Sequence, residues 1–418
     1  MASRYTRVPA LAPFQVRSFR FQWPADLATS WAFEMETLIL GWYVLVETGS
    51  VLLLTLFASL QYLGTLLAPM FGVMGDRMGH RNLLCAMRAV YATTAATLMV
   101  LAFMDALTPA CVLVIAAVMG LVRPSDIGMR AALVGESMPA AHLMGAMGIQ
   151  RTTQDSARIA GALTGAGLVA TLGMGPAYSV VVGFYAISVL LTLKAGGARH
   201  AHPPAVSAAR PSPWRDLRAG LAYVWTTPHL LAVMCLAFLL NLTAFPMFTG
   251  LLPYVAKEIY RTDQTGLGYM VAGAACGALL GSIALSRHGS AIRAGRMMIV
   301  FCAAWYAMLL VFAHTHHPVG GILALMFAGC AQSLSMVTMA TILLRNSDAQ
   351  FRGRIMGIRM LVLYGNVPGL LLSGPLIARF GYPLTATLYC AIGLTFTLLI
   401  AVCWRAHLWR SEAPANTR

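Results

Sequence analysis

Residues 72–82 have the sequence Gly-Val-Met-Gly-Asp-Arg-Met-Gly-His-Arg-Asn and lie between two long apolar runs. The stretch contains one acid, two arginines and three glycines, whereas its flanking segments are almost entirely apolar. Short basic connections between apolar segments are typical of the cytoplasmic loops of membrane proteins. The stretch therefore predicts a charged loop at the surface of a membrane.

The composition of the whole chain agrees with this interpretation. Of the 418 residues, 59% are hydrophobic and 10% are charged, and the mean hydropathy is +0.72. Soluble globular proteins contain about 25% charged residues. The sequence therefore indicates an integral membrane protein, for which the lipid bilayer is the first partner.

The net charge of +15 comes almost entirely from arginines, which cluster in the short connections between apolar segments. This is the positive-inside distribution, and we expect no nucleic-acid partner. The eight cysteines are scattered singly without a C-x-x-C pair, so neither a zinc site nor a disulfide framework is predicted.

Apolar runs of about 20 residues can cross a bilayer, and they must be helical because open strands would leave backbone groups unpaired in lipid. The sequence contains twelve such runs, so the predicted fold is an all-α integral membrane protein with twelve transmembrane helices. The predicted spans 1 to 12 are residues 22–46, 51–71, 83–104, 110–134, 146–170, 176–194, 229–251, 266–286, 297–313, 319–343, 355–377 and 384–404.

The charges of the loops predict the orientation. Arginines follow spans 2, 6, 8 and 10, whereas the opposite side carries few of them. Both termini are therefore predicted to be cytoplasmic. We expect a multi-pass protein of the bacterial cytoplasmic (inner) membrane.

The chain divides into two six-span halves. The predicted parts are a cytoplasmic tail at 1–21, a first half at 22–194, a cytoplasmic linker at 195–228 with a surface amphipathic segment, a second half at 229–404 and a cytoplasmic tail at 405–418.

The two halves also repeat in sequence. Pro318 follows Pro109 by 209 positions, and the same offset relates Gly120 to Gly329. A duplicated six-helix unit predicts transport by alternating access, with the substrate bound between the halves near the membrane midplane.

Ionisable residues within spans are costly in lipid and mark functional sites by default. Nearly all of those in this chain fall in the first half. The candidates for proton or charge handling are Asp26, Glu34, Arg123, Asp126, Asp155 and Arg158.

Depth in the membrane favours Glu34 and Arg123 as a central pair. They lie twelve and thirteen residues from the starts of spans 1 and 4, and each distance corresponds to about 18 Å of helix. We predict that the two neutralise each other at a central cavity, with Asp126 one turn further. A structural contact of Glu34 with a neighbouring helix is the alternative. Glu36 lies about 200° around the helix from Glu34, and we favour Glu34 for the cavity.

Span 5 carries two further patterns. Arg151, Asp155 and Arg158 share one face, where pairing within the helix is the simpler account. Small residues further along the span predict close approach of a neighbouring helix, although plain packing explains them equally well. These packing glycines are Gly161, Gly165 and Gly167.

The spans of the second half offer polar residues without charge. Hydrogen bonding between helices is the alternative role for each of them. A cavity that is charged on one side and polar on the other suits an amphipathic organic substrate. The substrate-cavity candidates are Asn241, Thr243, Gln332, Ser335, Thr338, Tyr364 and Asn366.

Sequence signatures of an enzyme or an ATP-driven pump are absent. Neither Lys194 nor Lys257 follows a glycine-rich phosphate loop, and no nucleophile–base spacing occurs. His314, His316 and His317 have no carboxylate or cysteine nearby in the sequence, so no metal site is predicted. We expect a protein that is not an enzyme, has no cofactor and uses the proton gradient as its energy source.

Residues 72–82 resemble the loop signature of the major facilitator superfamily, G-x-x-x-D-R-x-G-x-R-[RK]. Asn82 departs from it at the last basic position. The resemblance covers residues 18–405 and implies a gating motif that holds the inward-closed state through contact of Asp76 with the cytoplasmic end of span 11. The motif comprises Gly72, Gly75, Asp76, Arg77, Gly79 and Arg81.

Further stretches resemble the efflux branch that includes enterobactin exporters. They are Tyr43-x-x-x-Glu47-Thr48-Gly49-Ser50, Arg130 followed by Glu136-x-x-Pro139, and residues 352–357. The glycines of span 5 are similar to the exporter motif, but Ala162 stands where that motif has proline.

The resemblance implies a proton-coupled antiporter that exports a small amphipathic molecule, such as a drug or a siderophore, and that works as a monomer. Import of a small metabolite is the first alternative, because the fold runs in either direction. A lipid scramblase or a membrane-embedded enzyme is a remote alternative.

Overall fold

The computed structural model describes residues 9–195, 213–288, 294–345 and 352–405, and this part of the chain contains helices and turns but no strand. The α-helices are α1 (Arg17–Thr48), α2 (Val51–Leu60), α3 (Ala68–Met78), α4 (His80–Phe103), α5 (Pro109–Ser137), α6 (Ala140–Leu172), α7 (Met174–Lys194), α8 (Pro213–Thr226), α9 (Pro228–Phe245), α10 (Leu252–Tyr254), α11 (Gln264–His288), α12 (Ala294–His314), α13 (Pro318–Arg345), α14 (Arg352–Val362), α15 (Asn366–Phe380) and α16 (Tyr382–Cys403).

Twelve helical stretches correspond to the predicted spans, and the predicted fold class is confirmed. Nine stretches of the described chain are long and apolar enough to cross a membrane, and Val51–Leu67 is a shorter apolar one. The other two, α1 and α6, are 32 and 33 residues long. Both contain buried acids, which lower their hydropathy.

Three of the predicted spans contain an interruption of the α-helix. A 3-10 segment, Leu63–Leu67, separates α2 from α3, and another, Leu363–Gly365, separates α14 from α15. Span 7 contains two π-helical segments, Pro246–Gly250 and Val255–Ile259, on either side of α10. Because proline has no backbone N–H and clashes with the preceding turn, Pro246 and Pro253 account for the irregular helix in span 7.

The stretch at 72–82 corrects the prediction of a charged loop. The helix α3 continues through Met78, and α4 begins at His80. Gly79 alone makes the break, with φ +86 and its N–H donating to the Gly75 carbonyl at 2.8 Å. Glycine adopts this backbone conformation without the steric penalty that other residues meet. The charged residues therefore lie on two helix ends rather than in a loop.

The contacts of the chain divide it into two compact units. The first unit comprises Met1–Leu40 and Leu67–Arg210, and the second comprises Gly41–Leu66 and Pro211–Arg418. The C-terminal end of α1 and the whole of α2 therefore pack with the second unit, although they belong to the first half of the sequence. Grouping by contact thus differs from the predicted division by sequence.

Aromatic packing joins three helices of the first unit. The ring of Phe33 on α1 lies 4.7 Å from the Tyr91 ring on α4, edge to face. Tyr91 lies 5.7 Å from Tyr185 on α7. Both tyrosines are completely buried. This cluster fixes the face that α1 presents to α4 and α7.

Close backbone contact holds the second unit together. Gly277 on α11 and Gly329 on α13 each face the backbone of the other helix, where no Cβ has room. Gly374 on α15 likewise meets Thr55 of α2. Small residues at helix interfaces permit such approach in lipid, where dispersion contacts replace the hydrophobic effect.

The helix α8 corresponds to the predicted amphipathic segment between the halves. Its Trp225 is 75% exposed, and Val224 beside it is buried. The rest of the predicted linker, residues 196–212, lies outside the described residues.

Candidate functional site

The buried charged residues of the described chain all lie in the first half of the sequence, as predicted. Each has less than a tenth of its surface exposed in an apolar surrounding, so its partners determine what it can do chemically. They are Asp26, Glu36, Arg88, Asp126, Arg130 and Asp155.

Asp26 on α1 is the centre of a buried polar network. One oxygen forms an ion pair with Arg88 of α4, and the other accepts a hydrogen bond of 3.0 Å from Gln150 of α6. Arg88 also donates to Thr192 of α7. The network therefore links four helices through one carboxylate.

Arg130 on α5 extends this network. It forms an ion pair with Asp126 one turn before it on the same helix, and its Nε lies 3.8 Å from Asp26. Its Nη1 donates to Ser30 at 2.8 Å. With Arg88, the network contains two acids and two arginines, and the opposite charges offset the cost of burial. Asp126 thus belongs to this network.

Glu34 does not form the predicted pair with Arg123 in the described part of the chain. Its carboxylate lies 3.6 Å from Nε of Arg158 on α6, and both side chains are partly exposed. The reason is close helix packing: a Cβ on Gly161 would lie 2.7 Å from the Cβ of Glu34. Arg158, about one turn from Gly161, is therefore the arginine within reach of Glu34.

Arg123 interacts with the same stretch of α1 by other means. Its Nη1 donates to the Thr37 hydroxyl at 2.9 Å. Its guanidinium lies over the ring of Phe33, 4.7 Å from the centroid, which is a cation–π geometry. Arg123 therefore contacts α1 one turn from the position predicted.

Glu36 was considered less suitable than Glu34 for the central cavity on the basis of the sequence. In the structure, Glu36 is more deeply buried than Glu34. It is 3% exposed, and its Oε2 accepts a hydrogen bond of 2.8 Å from the Tyr185 hydroxyl. Its Oε1 has no hydrogen-bond partner among the described residues. The position of Glu36 on the face opposite to Glu34 was the available signal, but the packing of that face on α7 was not visible in the sequence.

The three charged residues of α6 have ion-pair partners on two different helices. Arg151 pairs with Asp155 at 3.3 Å, as intrahelical pairing predicts, whereas Arg158 pairs with Glu34 on α1. Beyond them, a Cβ on Gly165 would lie 3.0 Å from the Cα of Met35. A Cβ on Gly167 would meet nothing within 4 Å. Two of the three packing glycines therefore bring α6 against α1.

The substrate-cavity candidates on α9 and α15 are mostly satisfied within the second unit. Asn366 donates to the Asn241 side-chain oxygen at 2.7 Å, and Thr243 shares a hydrogen bond of 2.6 Å with the Tyr306 hydroxyl. Tyr364 lies half-buried in the 3-10 segment between α14 and α15. These contacts match the alternative of hydrogen bonding between helices.

The candidates on α13 differ among themselves. Ser335 and Thr338 donate to carbonyls of their own helix, at 2.8 Å. Gln332 is buried, and its Oε1 has no hydrogen-bond partner in the described chain. The buried side-chain oxygen of Gln332 therefore has hydrogen-bonding capacity that no described residue uses.

The gating motif lies on the end of α3 and the start of α4. Gly72 has open space beside it, whereas a Cβ on Gly75 would lie 3.0 Å from the ring of His80. Arg77 is exposed, and Arg81 donates to the adjacent Asn82. The side chain of Asp76 lies outside what the structure describes, as do residues 346–351 before α14. The contact of Asp76 with span 11 therefore stays a prediction.

One contact of this region was missed by sequence reasoning. Nδ1 of His80 lies 2.7 Å from Oε1 of Glu136 near the end of α5. His80 occupies a variable position of the motif, so no sequence signal pointed to the pair. The contact ties the motif to α5 within the first unit.

The cluster of histidines at 314–317 lies at the end of α12 and in the turn after it. Within the described residues, no group of three or more histidine, cysteine, aspartate or glutamate side chains is placed to hold a metal ion.

Nine helical stretches of the described chain are long and apolar enough to cross a membrane, which indicates a multi-pass membrane protein. The chain belongs to the Major Facilitator Superfamily, whose family model matches residues 27–365. No curated protein matches the sequence.

Solved structures show the same fold at low sequence identity. The chain is similar to the nucleoside transporter NupG (16% identity, 94% of this chain and 100% of that chain, TM-score 0.65). It is also similar to the POT family transporter PepTSo (12% identity, 95% and 99%, TM-score 0.73). A third similar structure is the human organic anion transporter MFSD10 (15% identity, 92% and 99%, TM-score 0.66). These likenesses establish the fold, that of a major facilitator transporter.

Proposed function

We propose that the protein is a secondary active transporter that works by alternating access and exports a small amphipathic organic compound in exchange for protons. The observation that carries this proposal is the asymmetry of buried charge. Every buried charged residue of the described chain lies in the first half of the sequence, and the second half buries polar residues without charge. Ionisable groups in spans are retained where they move ions or bind substrate.

The acids of the first unit fall into two groups, one suited to a structural role and one available for transport. Asp26 and Asp126 are neutralised by Arg88 and Arg130 in the buried network. Such a balanced network suits a structural role, because removal of any member leaves a buried charge without a partner. The acids of the spans outside the network are Glu34 and Glu36 on α1 and Asp155 on α6, and Asp155 pairs with Arg151 of its own helix. We assign the transport chemistry to the two acids of α1.

The surface of α1 near Glu34 supports an amphipathic organic substrate. Trp31, one turn before Glu34, stacks on Phe184 with 5.4 Å between the ring centroids. Both rings are half-buried. An aromatic surface beside the Glu34–Arg158 ion pair offers an organic molecule both apolar and charged contacts.

The structural relatives support the substrate class by analogy. Their names describe transporters of nucleosides and organic anions, which are small organic solutes. The resemblance to enterobactin exporters supports a drug-like or siderophore-like compound and outward transport. We also propose a cytoplasmic-membrane location with both termini in the cytoplasm, a monomeric state and no cofactor.

Transport in vesicles with an imposed pH gradient tests the proposal. The full chain would be assayed in inside-out vesicles with a panel of fluorescent cationic, neutral and anionic amphipathic dyes. We expect accumulation that collapses with a protonophore. Accumulation only in right-side-out vesicles would indicate import, and none in either orientation would contradict the proposal. Lipid flip in protein-only vesicles without a gradient would instead indicate a scramblase.

A further inference from the structure

Glu36 and Tyr185 form a buried carboxyl–hydroxyl pair that the network around Asp26 does not include. The two residues lie on α1 and α7, and the hydroxyl donates to Oε2 at 2.8 Å. Glu36 is 3% exposed and Tyr185 is completely buried. The pair is therefore a separate polar site inside the first unit.

Glu36 differs from the other acids of the spans in its partners. Asp26, Asp126, Asp155 and Glu34 each lie within ion-pair distance of an arginine, and Glu36 does not, among the described residues. Arg123, whose contacts include Thr37 and Phe33, is the nearby arginine of α5. Within the described residues, Glu36 therefore forms a hydrogen bond with Tyr185 and no ion pair.

The surroundings of Glu36 favour a group that can gain and lose a proton. Tyr178, also on α7, is completely buried, and Tyr91 packs against Tyr185. The hydroxyls of Tyr91 and Tyr178 have no hydrogen-bond partner in the described chain, nor has Oε1 of Glu36. An isolated carboxylate in such a place carries a large desolvation cost, which a proton removes.

We infer that Glu36 is the carboxyl that binds and releases the coupled proton, and that Tyr185 is the positioning residue that holds it. This inference rests on the proposed function and deepens it. The proton joins a carboxylate oxygen from water on one side of the membrane and returns to water on the other.

Infrared difference spectroscopy on the full chain in liposomes tests the site without a substrate. On a step from alkaline to acidic pH, we expect a band from a protonated carboxyl group. The band should vanish in Glu36→Gln, persist in Glu34→Gln and shift in Tyr185→Phe, which removes the hydroxyl hydrogen bond. A band that survives in Glu36→Gln would overturn the assignment. If Glu36→Gln does not fold, the Tyr185→Phe variant provides the test. A shift of the carboxyl band in that variant supports the assignment to Glu36, and an unchanged band overturns it.

Dye transport by the same variants tests the coupling. We expect Glu36→Gln to lose accumulation driven by a pH gradient and to keep exchange of dye between the two sides without a gradient. Asp105→Asn, which changes an exposed acid in the turn between α4 and α5, is the matched control and should accumulate dye normally.

The outcomes separate the inference from the proposed function. If the wild-type protein moves no dye with protons, the proposed function fails, and the infrared band still decides whether Glu36 binds a proton. If the wild type moves dye with protons and Glu36→Gln does so equally well, the inference fails alone. Loss of cationic dyes only, with coupling intact for neutral ones, would assign Glu36 to substrate binding and overturn the inference.

Discussion

Arg88 and Asp26 form an ion pair between α4 and α1 in which the side chains are 0% and 4% exposed. Removal of one member of such a pair leaves the other charge buried without compensation. We expect Asp26→Asn to lower the free energy of unfolding by about 3–5 kcal/mol. Thermal unfolding of the purified protein in detergent measures the effect.

The matched control for Asp26→Asn is Glu258→Gln. The side chain of Glu258 is 46% exposed, and that of its partner Lys257 is 29% exposed. A partly exposed pair contributes less than about 1 kcal/mol. Equal losses of stability in the two variants would contradict a structural role of the Asp26 network.

The approach of α6 to α1 depends on Gly161. A Cβ there would lie 2.7 Å from the Cβ of Glu34 and 2.9 Å from the Trp31 carbonyl. We expect Gly161→Ala to destabilise the protein or to separate the two helices, since the backbone carbonyl cannot turn away. Gly167→Ala on the same helix meets no atom within 4 Å and should be neutral or slightly stabilising. Thermal unfolding compares them, and a neutral Gly161→Ala would refute the close packing.

The single-residue break between α3 and α4 depends on Gly79. Its φ of +86 is unfavourable for any residue with a side chain, and alanine there should cost about 1–3 kcal/mol. Gly72→Ala, seven residues earlier in helical backbone with open space beside it, should cost nothing and is the control. Unfolding curves that rank the two variants in the opposite order would count against this geometry.

The gating role of Asp76 stays a prediction that function can test. An anion is favoured at a helix N-terminus by about 0.3–1 kcal/mol, and by more where it is partly buried. We expect Asp76→Asn to reduce transport while dye binding survives, because the residue acts on the conformational balance. Binding is measured by fluorescence anisotropy of the dye on the detergent-solubilised protein. Loss of binding in a correctly folded variant would exclude a role limited to gating.

The spans and the distribution of charge were predictable from the sequence, and the pairing of the charges was not. Apolar runs of about 20 residues are a direct sign of membrane-spanning helices. The positions of the helices could therefore be predicted from the sequence. The partner of Glu34 depends on how α1 and α6 are rotated and displaced relative to each other. The number of residues from the start of a span gives the depth of a side chain in the membrane, but it does not give the rotation of the helix. The arginine beside Glu34 is therefore Arg158, whereas Arg123 was expected.

The same limit explains Glu36 and the residues around Gly79. The burial of Glu36 follows from the packing of α1 on Tyr185 and Tyr91, which are distant in sequence. The sequence predicted a loop of eleven residues around Gly79, because charged residues are typical of loops. Helix ends at a membrane surface also carry charged residues, and the structure has a break of one residue. Gly161 and Gly165 lie against α1, and small size, which permits such an approach, can be read from the sequence.

The packing of residues 41–66 with the second unit has a consequence for dissecting the molecule. A cut in the linker would give two fragments that match the halves of the sequence, but not the units of packing. The C-terminal fragment would lack the helix that covers Gly374, and the N-terminal fragment would expose the apolar face of α2 to lipid. Neither fragment carries its full set of native contacts, so each half of the sequence completes its fold only in the presence of the other.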